Sequence, residues 1–251
     1  MGQIDFQRYR HLTFEDFKKL ALDPSLPEYE RIGFPAEYRR GFDALILSEM
    51  RAKVPALDRH GARVIDLGCG CGALVRKVMK HARSRGVELT LVDSKEVLDQ
   101  VPDVPGVRKL PGRFPSCLPE LLSAVPDADG VLCYSVLQHV FFEGSLFDFV
   151  DKACLLLGHQ GTLLLGDIPN VSRWFRFFSS PKGLEYHKKH GGGRRRPKPP
   201  SSGALDRGLD DSVVLGMMMR YRGLGYDAFV LPQDPRLPLS GRREDLLVVR
   251  P

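Results

Sequence analysis

Residues 64–73 read VIDLGCGCGA. An apolar pair, an acid, and glycines at every second position (Gly68, Gly70, Gly72) before an alanine describe a strand that turns sharply into a helix. Glycine there lets the backbone turn tightly and approach a ligand closely, while the start of the helix offers N–H groups with no intrahelical partner. On these grounds the segment is a binding loop.

Working outward, the pattern alternates. Strands are expected at residues 63–67, 88–92, 107–110, 130–134 and 162–166, with helices at 73–84, from Ser94, at 115–125 and at 145–157. The strands are continuous apolar runs, as suits parallel strands covered on both faces, and strand–helix alternation implies right-handed crossovers. Ahead of the first strand, Thr13 can cap a short helix through Phe14, Phe17 and Leu20. A second helix is expected from Pro35 past Tyr38 and Phe42 toward Met50. After residue 209, Asp210 or Asp211 caps a helix that runs to Gly223, and strands at 227–231 and 245–250 form a closing hairpin. The expected fold is α/β, a Rossmann-like, mostly parallel seven-stranded sheet with helices on both faces and an antiparallel last strand. A helical cap at 1–60 precedes a main domain at 61–251, with a basic, flexible insertion at about 170–209.

The glycines alone also satisfy GxGxxA, a form of the dinucleotide fingerprint. Asp66 helps to separate the possibilities. It places negative charge where a pyrophosphate would sit, but it suits the ammonium group of a methionine moiety. Asp93, closing the second strand, can accept hydrogen bonds from both ribose hydroxyls of either kind of cofactor.

With those residues in place, the chain resembles the class I S-adenosylmethionine-dependent methyltransferases, and more narrowly those of surface-polysaccharide biosynthesis. The broad resemblance covers residues 60–250. The narrower one rests on IGFPAEYRRGFDALI (32–46), DLGCGCGAL (66–74), YSVLQHVFFEGSLFDFVDKACLLL (134–157), GDIPN (166–170), RFFSSPKGLEYHKKH (176–190) and LPLSGRRED (237–245). The resemblance implies S-adenosylmethionine as cofactor. Asp66 and the loop of Gly68, Cys69, Gly70 and Gly72 would hold its amino-acid end, Asp93 with Ser94 the ribose, and Gly112, Arg113 and Phe114 would flank the adenine. Tyr134, Ser135 and Gln138 would line the methyl-donor side. Arg113 departs from the pattern, since many relatives carry an acid there for the adenine amino group.

Methyl transfer is an in-line displacement that needs alignment and, often, a base. His139 follows the fourth strand at the ligand-binding edge of the sheet and is the first base candidate, with a packed histidine as the plain alternative. Asp167, ending the fifth strand, is the second, against a helix-capping role; His187 is weaker. The acceptor implied by the resemblance is a small molecule or glycan, with a hydroxyl ahead of an amine. An NAD(P)-dependent oxidoreductase built on Gly68, Gly70 and Ala73 is a competing reading. A non-catalytic module that binds S-adenosylmethionine or RNA is another.

The formal charge of +6 is unevenly spread. Residues 173–198 hold nine Lys or Arg against Glu185 alone, a local +8 that leaves about −2 elsewhere. A basic groove across the fold is therefore not expected, and nucleic acid is a poor partner. Arg173, Arg176, Lys188 or Lys189 could instead meet a phosphate on the acceptor. GGGRRRPKPPSSG (191–203) has no core-forming residues and reads as a solvated, mobile excursion. Trp174, Phe175, Phe177 and Phe178 suit either a lid or core packing. Five cysteines lack metal or redox spacing and read as reduced thiols, no metal-site pattern is present, and the polar start with no long apolar run suggests a cytoplasmic chain.

Overall fold

The computed structural model describes residues 11–189 and 208–251. Seven strands form one sheet: β1 (Arg63–Leu67), β2 (Glu88–Asp93), β3 (Val107–Pro111), β4 (Ala128–Tyr134), β5 (Leu157–Pro169), β6 (Asp227–Pro232) and β7 (Arg243–Val249). Their order is β3-β2-β1-β4-β5-β7-β6. The first five run parallel, and β7 lies antiparallel to both β5 and β6.

The buried strands alternate between two cores because successive side chains point to opposite faces. Val64, Leu89, Leu91, Leu132 and Leu164 face α2 (Asp43–Lys53) and α3 (Ala73–Arg85), meeting Ile46, Met50, Val75, Val78 and Met79. Ile65, Leu67, Val131, Cys133, Leu163 and Leu165 face the opposite way. There they meet α7 (Leu146–Leu155) and α10 (Asp211–Gly223) through Phe149, Val150, Val214, Met217 and Tyr221. Both faces are thus covered, as the unbroken apolar strands require.

The remaining helices are α1 (Phe14–Leu22), α4 (Lys95–Leu98), α5 (Leu118–Ala124), α6 (Leu137–Glu143), α8 (Val171–Ser179) and α9 (Pro181–Lys189). Thr13 caps α1 in a reciprocal capping box with Asp16, and α1 packs on α4.

Several expectations need correction. The helix expected from Pro35 starts at Asp43: Gly41 has φ +87°, which ends helical propagation, and Ala36–Tyr38 is an isolated 3-10 turn. Helix α6 was not expected, because its seven residues follow β4 with no side-chain N-cap. Strand β5 is longer than expected and irregular, its register with β7 shifting between Leu165 and Ile168, where Asp167 has φ +61°. The first part of the insertion expected at about 170–209 is regular structure. Residues 171–189 are helical, since Asn170 caps α8 through the Arg173 N–H and the aromatics pack together. Trp174 and Phe178 lie 4.7 Å apart, Phe177 and Tyr186 5.7 Å, and Phe178 is buried. The mobile segment read at 191–203, with Arg194, Arg195, Arg196 and Lys198, lies outside the described residues. Among the described residues no helix is long and apolar enough to cross a membrane.

Candidate functional site

The carboxyl ends of the parallel strands open into a cavity of about 400 Å³, within the roughly 300–1,000 Å³ usual for small-molecule sites. Of the residues singled out above, Gly68, Cys69, Gly70, Gly72, Asp93, Gly112, Arg113, Phe114, Tyr134, Ser135 and His139 line it. Asp66, Ser94, Gln138 and Asp167 do not reach its wall.

The loop after β1 adopts its turn through left-handed glycines, with φ +72° at Gly68 and +64° at Gly70. A Cβ on Gly68 would come within 2.7 Å of Val136, so the position tolerates only glycine on two counts. Asp93 lies opposite, and its Oδ2 accepts from the Gly70 N–H at 3.0 Å while its Oδ1 accepts from Ser94 N–H at 2.8 Å. Ser94 itself caps α4 through the Val97 N–H.

Asp66 and Asp93 end neighbouring strands and share a low-dielectric region. Burial, then the Asp93 charge, pushes Asp66 up to about 7. Burial pushes Asp93 up to about 6 against the opposing pull of the Gly70 and Ser94 N–H groups. Among the described residues neither forms an ion pair, so both carboxyls are held part-way toward their neutral forms and would be drawn to ionise by a cation placed beside them. A carboxylate raised above its ordinary value near 3.8 stabilises the fold below that pH, and this contribution is lost as pH rises through the folded value. Substituting Asp66→Asn should therefore gain stability relative to the parent as pH rises from 5 to 8, by roughly 2–4 kcal/mol. Thermal melts of both proteins across that range check it, and a flat difference would contradict it.

His139 sits on the wall with its Nδ1 3.1 Å from the Leu12 carbonyl and its ring edge-on to Phe17 at 4.7 Å. Nδ1 must donate to that carbonyl, which leaves the Nε2 lone pair to accept from the Gln138 amide at 3.2 Å. Burial lowers His139 to about 4, so it is neutral at physiological pH. It is both packed and cavity-facing.

Asp167 does not cap a helix; that role belongs to Asn170. Its carboxylate accepts from Arg39 Nη2 at 3.0 Å, Arg243 Nη1 at 2.6 Å, Gln233 Nε2 at 3.2 Å and the Ser135 hydroxyl. Those partners come from other parts of the chain and hold the carboxyl off the cavity wall. Arg173 and Arg176, considered for phosphate, are engaged by Glu244 and Asp211 respectively. Trp174, Phe175, Phe177 and Phe178 do not line the cavity.

Sequence reasoning missed the contribution of the amino-terminal segment. Phe14, Phe17, Arg31, Ile32, Phe34, Arg39 and Asp43 all line the cavity. The segment is tied to α6, with Glu143 accepting from the Phe14 N–H at 2.8 Å and His139 bonded to Leu12. Arg113 reaches Glu143 at 3.4 Å and lies over the Phe14 ring at 5.4 Å. Its charge is thus engaged by an acid from a different element. All five cysteines are unpaired; burial pushes Cys71 up to about 11 and raises Cys69 as well, so both loop sulfurs are neutral thiols.

A dinucleotide-binding sheet runs in the order 3-2-1-4-5-6 with its strands parallel. Here an antiparallel β7 is inserted between β5 and β6. The chain has the methyltransferase fold. Solved structures of that fold superpose on nearly all of it. The plantazolicin methyltransferase BpumL in complex with SAH matches with a TM-score of 0.57 and 12% identity, over 95% of this chain and 96% of that one. The same enzyme with a pentazolic desmethylPZN analog and SAH gives 0.58 and 11%, over 94% and 98%. The methyltransferase domain of bacterial CtHen1 gives 0.51 and 17%, over 84% and 100%. No protein-family model and no curated protein matches the sequence. In a methyltransferase-fold chain the cavity stands at the topological switch between β1 and β4, where open α/β sheets bind ligands.

Proposed function

We propose that this chain transfers a methyl group from S-adenosylmethionine to a hydroxyl of a carbohydrate-type small molecule or glycan, with an amine as the second choice of acceptor atom. The observation that carries the cofactor is the pair of carboxylates, Asp66 and Asp93, held without a cation beside the glycine loop. S-adenosylmethionine brings a cationic ammonium and a sulfonium, which such a site favours. Asp93 stands on the wall to take the ribose hydroxyls. Asp66, behind the wall with its carboxyl pushed up to about 7, is drawn toward its ionised form by a bound cation and acts at short range, not as a direct ligand.

When bound, the cofactor supplies an electrophilic methyl group. Gly68, Cys69, Gly70 and Gly72 allow close approach of the backbone, and Phe114, edge-on to Phe149 at 4.9 Å, offers an apolar flank for a base. Tyr134 and Ser135 line the side at the end of β4. His139, neutral and on the wall, is the base this reading retains, its Nε2 taking the acceptor proton in exchange for the bond it accepts from the Gln138 amide; Asp167 acts in positioning Ser135 and Arg39. The carbohydrate acceptor rests on the resemblance of residues 134–157, 166–170 and 176–190 to polysaccharide-biosynthesis methyltransferases.

Calorimetry with S-adenosylmethionine and S-adenosylhomocysteine, with NAD and NADP as controls, tests the cofactor. Micromolar binding of the first two alone is the expected result. Transfer of a labelled methyl group into nucleotide sugars and glycans then tests the acceptor. A folded protein that binds neither sulfur compound would overturn the reading, and binding of NAD or NADP instead would restore the oxidoreductase.

A further inference from the structure

The cavity wall carries positive charge as well. Arg39 and Arg243, both largely buried, share one carboxylate: each bonds Oδ2 of Asp167, at 3.0 and 2.6 Å. Among the described residues neither has a second acidic partner. Three neighbouring acids are committed to other cations. Asp245 takes Lys53 at 2.7 Å, Glu49 takes the same lysine at 3.3 Å, and Glu244 faces Arg173 at 3.6 Å. Asp43, also on the cavity wall, accepts from the Tyr29 hydroxyl at 2.8 Å and forms no ion pair with a described residue. Arg242, next in sequence, adds a third guanidinium, which rests over the rings of Tyr38, Phe178 and Tyr186 and among the described residues has no acid within ion-pair distance.

Arg39 is the member of this cluster that lines the cavity. Its Nη2 bonds Ser135 and Asp167, its Nε is buried with no partner, and no described group accepts from Nη1. Its guanidinium is held over the rings of Phe34 at 4.3 Å and Tyr134 at 5.3 Å, and Arg243 lies over the same Phe34 ring at 5.1 Å. The two groups that grip it, Ser135 and Asp167, are non-glycine residues with φ of +62° and +61°. Such backbone persists only where surrounding structure over-determines it, and it gathers at ligand sites. A fixed, planar cation with unused donors beside a second buried cation is suited to an oxyanion.

We infer that Arg39, backed by Arg243, binds an oxyanion of the acceptor, either a carboxylate or a phosphate. The inference rests on the methyltransferase reading of the same cavity. It moves anion recognition from the basic segment at 173–198 to the strand ends, next to Ser135. The two polarities then orient the ligands: cationic donor toward Asp66 and Asp93, anionic acceptor toward Arg39.

The test is binding of D-glucuronate, glucose 1-phosphate and uncharged glucose, measured by calorimetry with and without S-adenosylhomocysteine, whose own binding is recorded in parallel. At least one charged sugar should bind about tenfold or more tighter than glucose. Arg39→Gln should erase that preference, and Arg39→Lys should weaken the charged sugar severalfold without affecting glucose. Circular dichroism confirms folding, and if Arg39→Gln does not fold the lysine variant carries the test. Equal affinity for the three sugars, no binding of either charged sugar, or a charge preference that survives Arg39→Gln overturns the inference. An Arg39-dependent preference without S-adenosylhomocysteine binding removes the cofactor reading and leaves the anion site standing. The reverse result removes the anion site alone. Whichever charged sugar binds tighter distinguishes carboxylate from phosphate.

Discussion

Asp93→Ala is expected to abolish S-adenosylmethionine binding, with affinity falling at least 100-fold in calorimetry. In the proposed function the Asp93 carboxylate takes a ribose diol at the end of its strand, and a hydrogen bond to a charged group contributes about 1.5–3 kcal/mol. Loss of two such bonds exceeds the 100-fold threshold. A second effect adds to it, because Oδ2 of Asp93 accepts from Gly70 N–H at 3.0 Å and Oδ1 from Ser94 N–H at 2.8 Å. Without the side chain, the glycine loop loses a tether to β2. Asp93→Asn retains the shape and one acceptor, and should fall between the parent and the alanine variant. Affinity of the alanine variant within threefold of the parent would remove Asp93 from the site.

The second large effect concerns stability. Asp167→Ala should cost about 3–5 kcal/mol, since it leaves Arg39 and Arg243 buried with no anion between them. At about 2–4 °C per kcal/mol for a chain of this size, the melting temperature should drop by roughly 6–20 °C. The expected sign does not depend on the ion pairs being net stabilising. A buried pair can be replaceable by apolar groups and still be costly to break from one side. Chemical denaturation should show the same loss. A drop below about 1 kcal/mol would mean that water reaches the two guanidiniums freely.

Much of the fold was legible because its signals are local. The run 64–73 carries strand, turn and helix start in ten letters, and each is a short-range property. The other parallel strands were readable from unbroken apolar runs, and the start of α10 from the paired acids Asp210 and Asp211, between which the structure chose Asp210 as the cap. Where the local signal was weak, the reading failed. Gly41 ended a helical pattern whose apolar spacing continued through it. Helix α8 was hidden because its aromatic spacing adjoined a basic, glycine-rich segment that dominated the composition. Asp167 was visible as the end of a strand, but its partners were not. Arg39 is 128 residues away and Arg243 76, and no spacing rule links them.

The sequence by itself determined the parallel sheet, the glycine loop and the two strand-end acids, since strand propensity, turn chemistry and capping act over a few residues. Only the tertiary structure decided which walls close the cavity. Phe14, Phe17, Phe34 and Arg39 come to it from a segment whose own pattern says nothing of where it docks. It also decided the charge at each end, because solvent removed from Asp66, Asp93, Arg39 and Arg243 by folding is what turns ordinary surface residue types into strongly interacting groups.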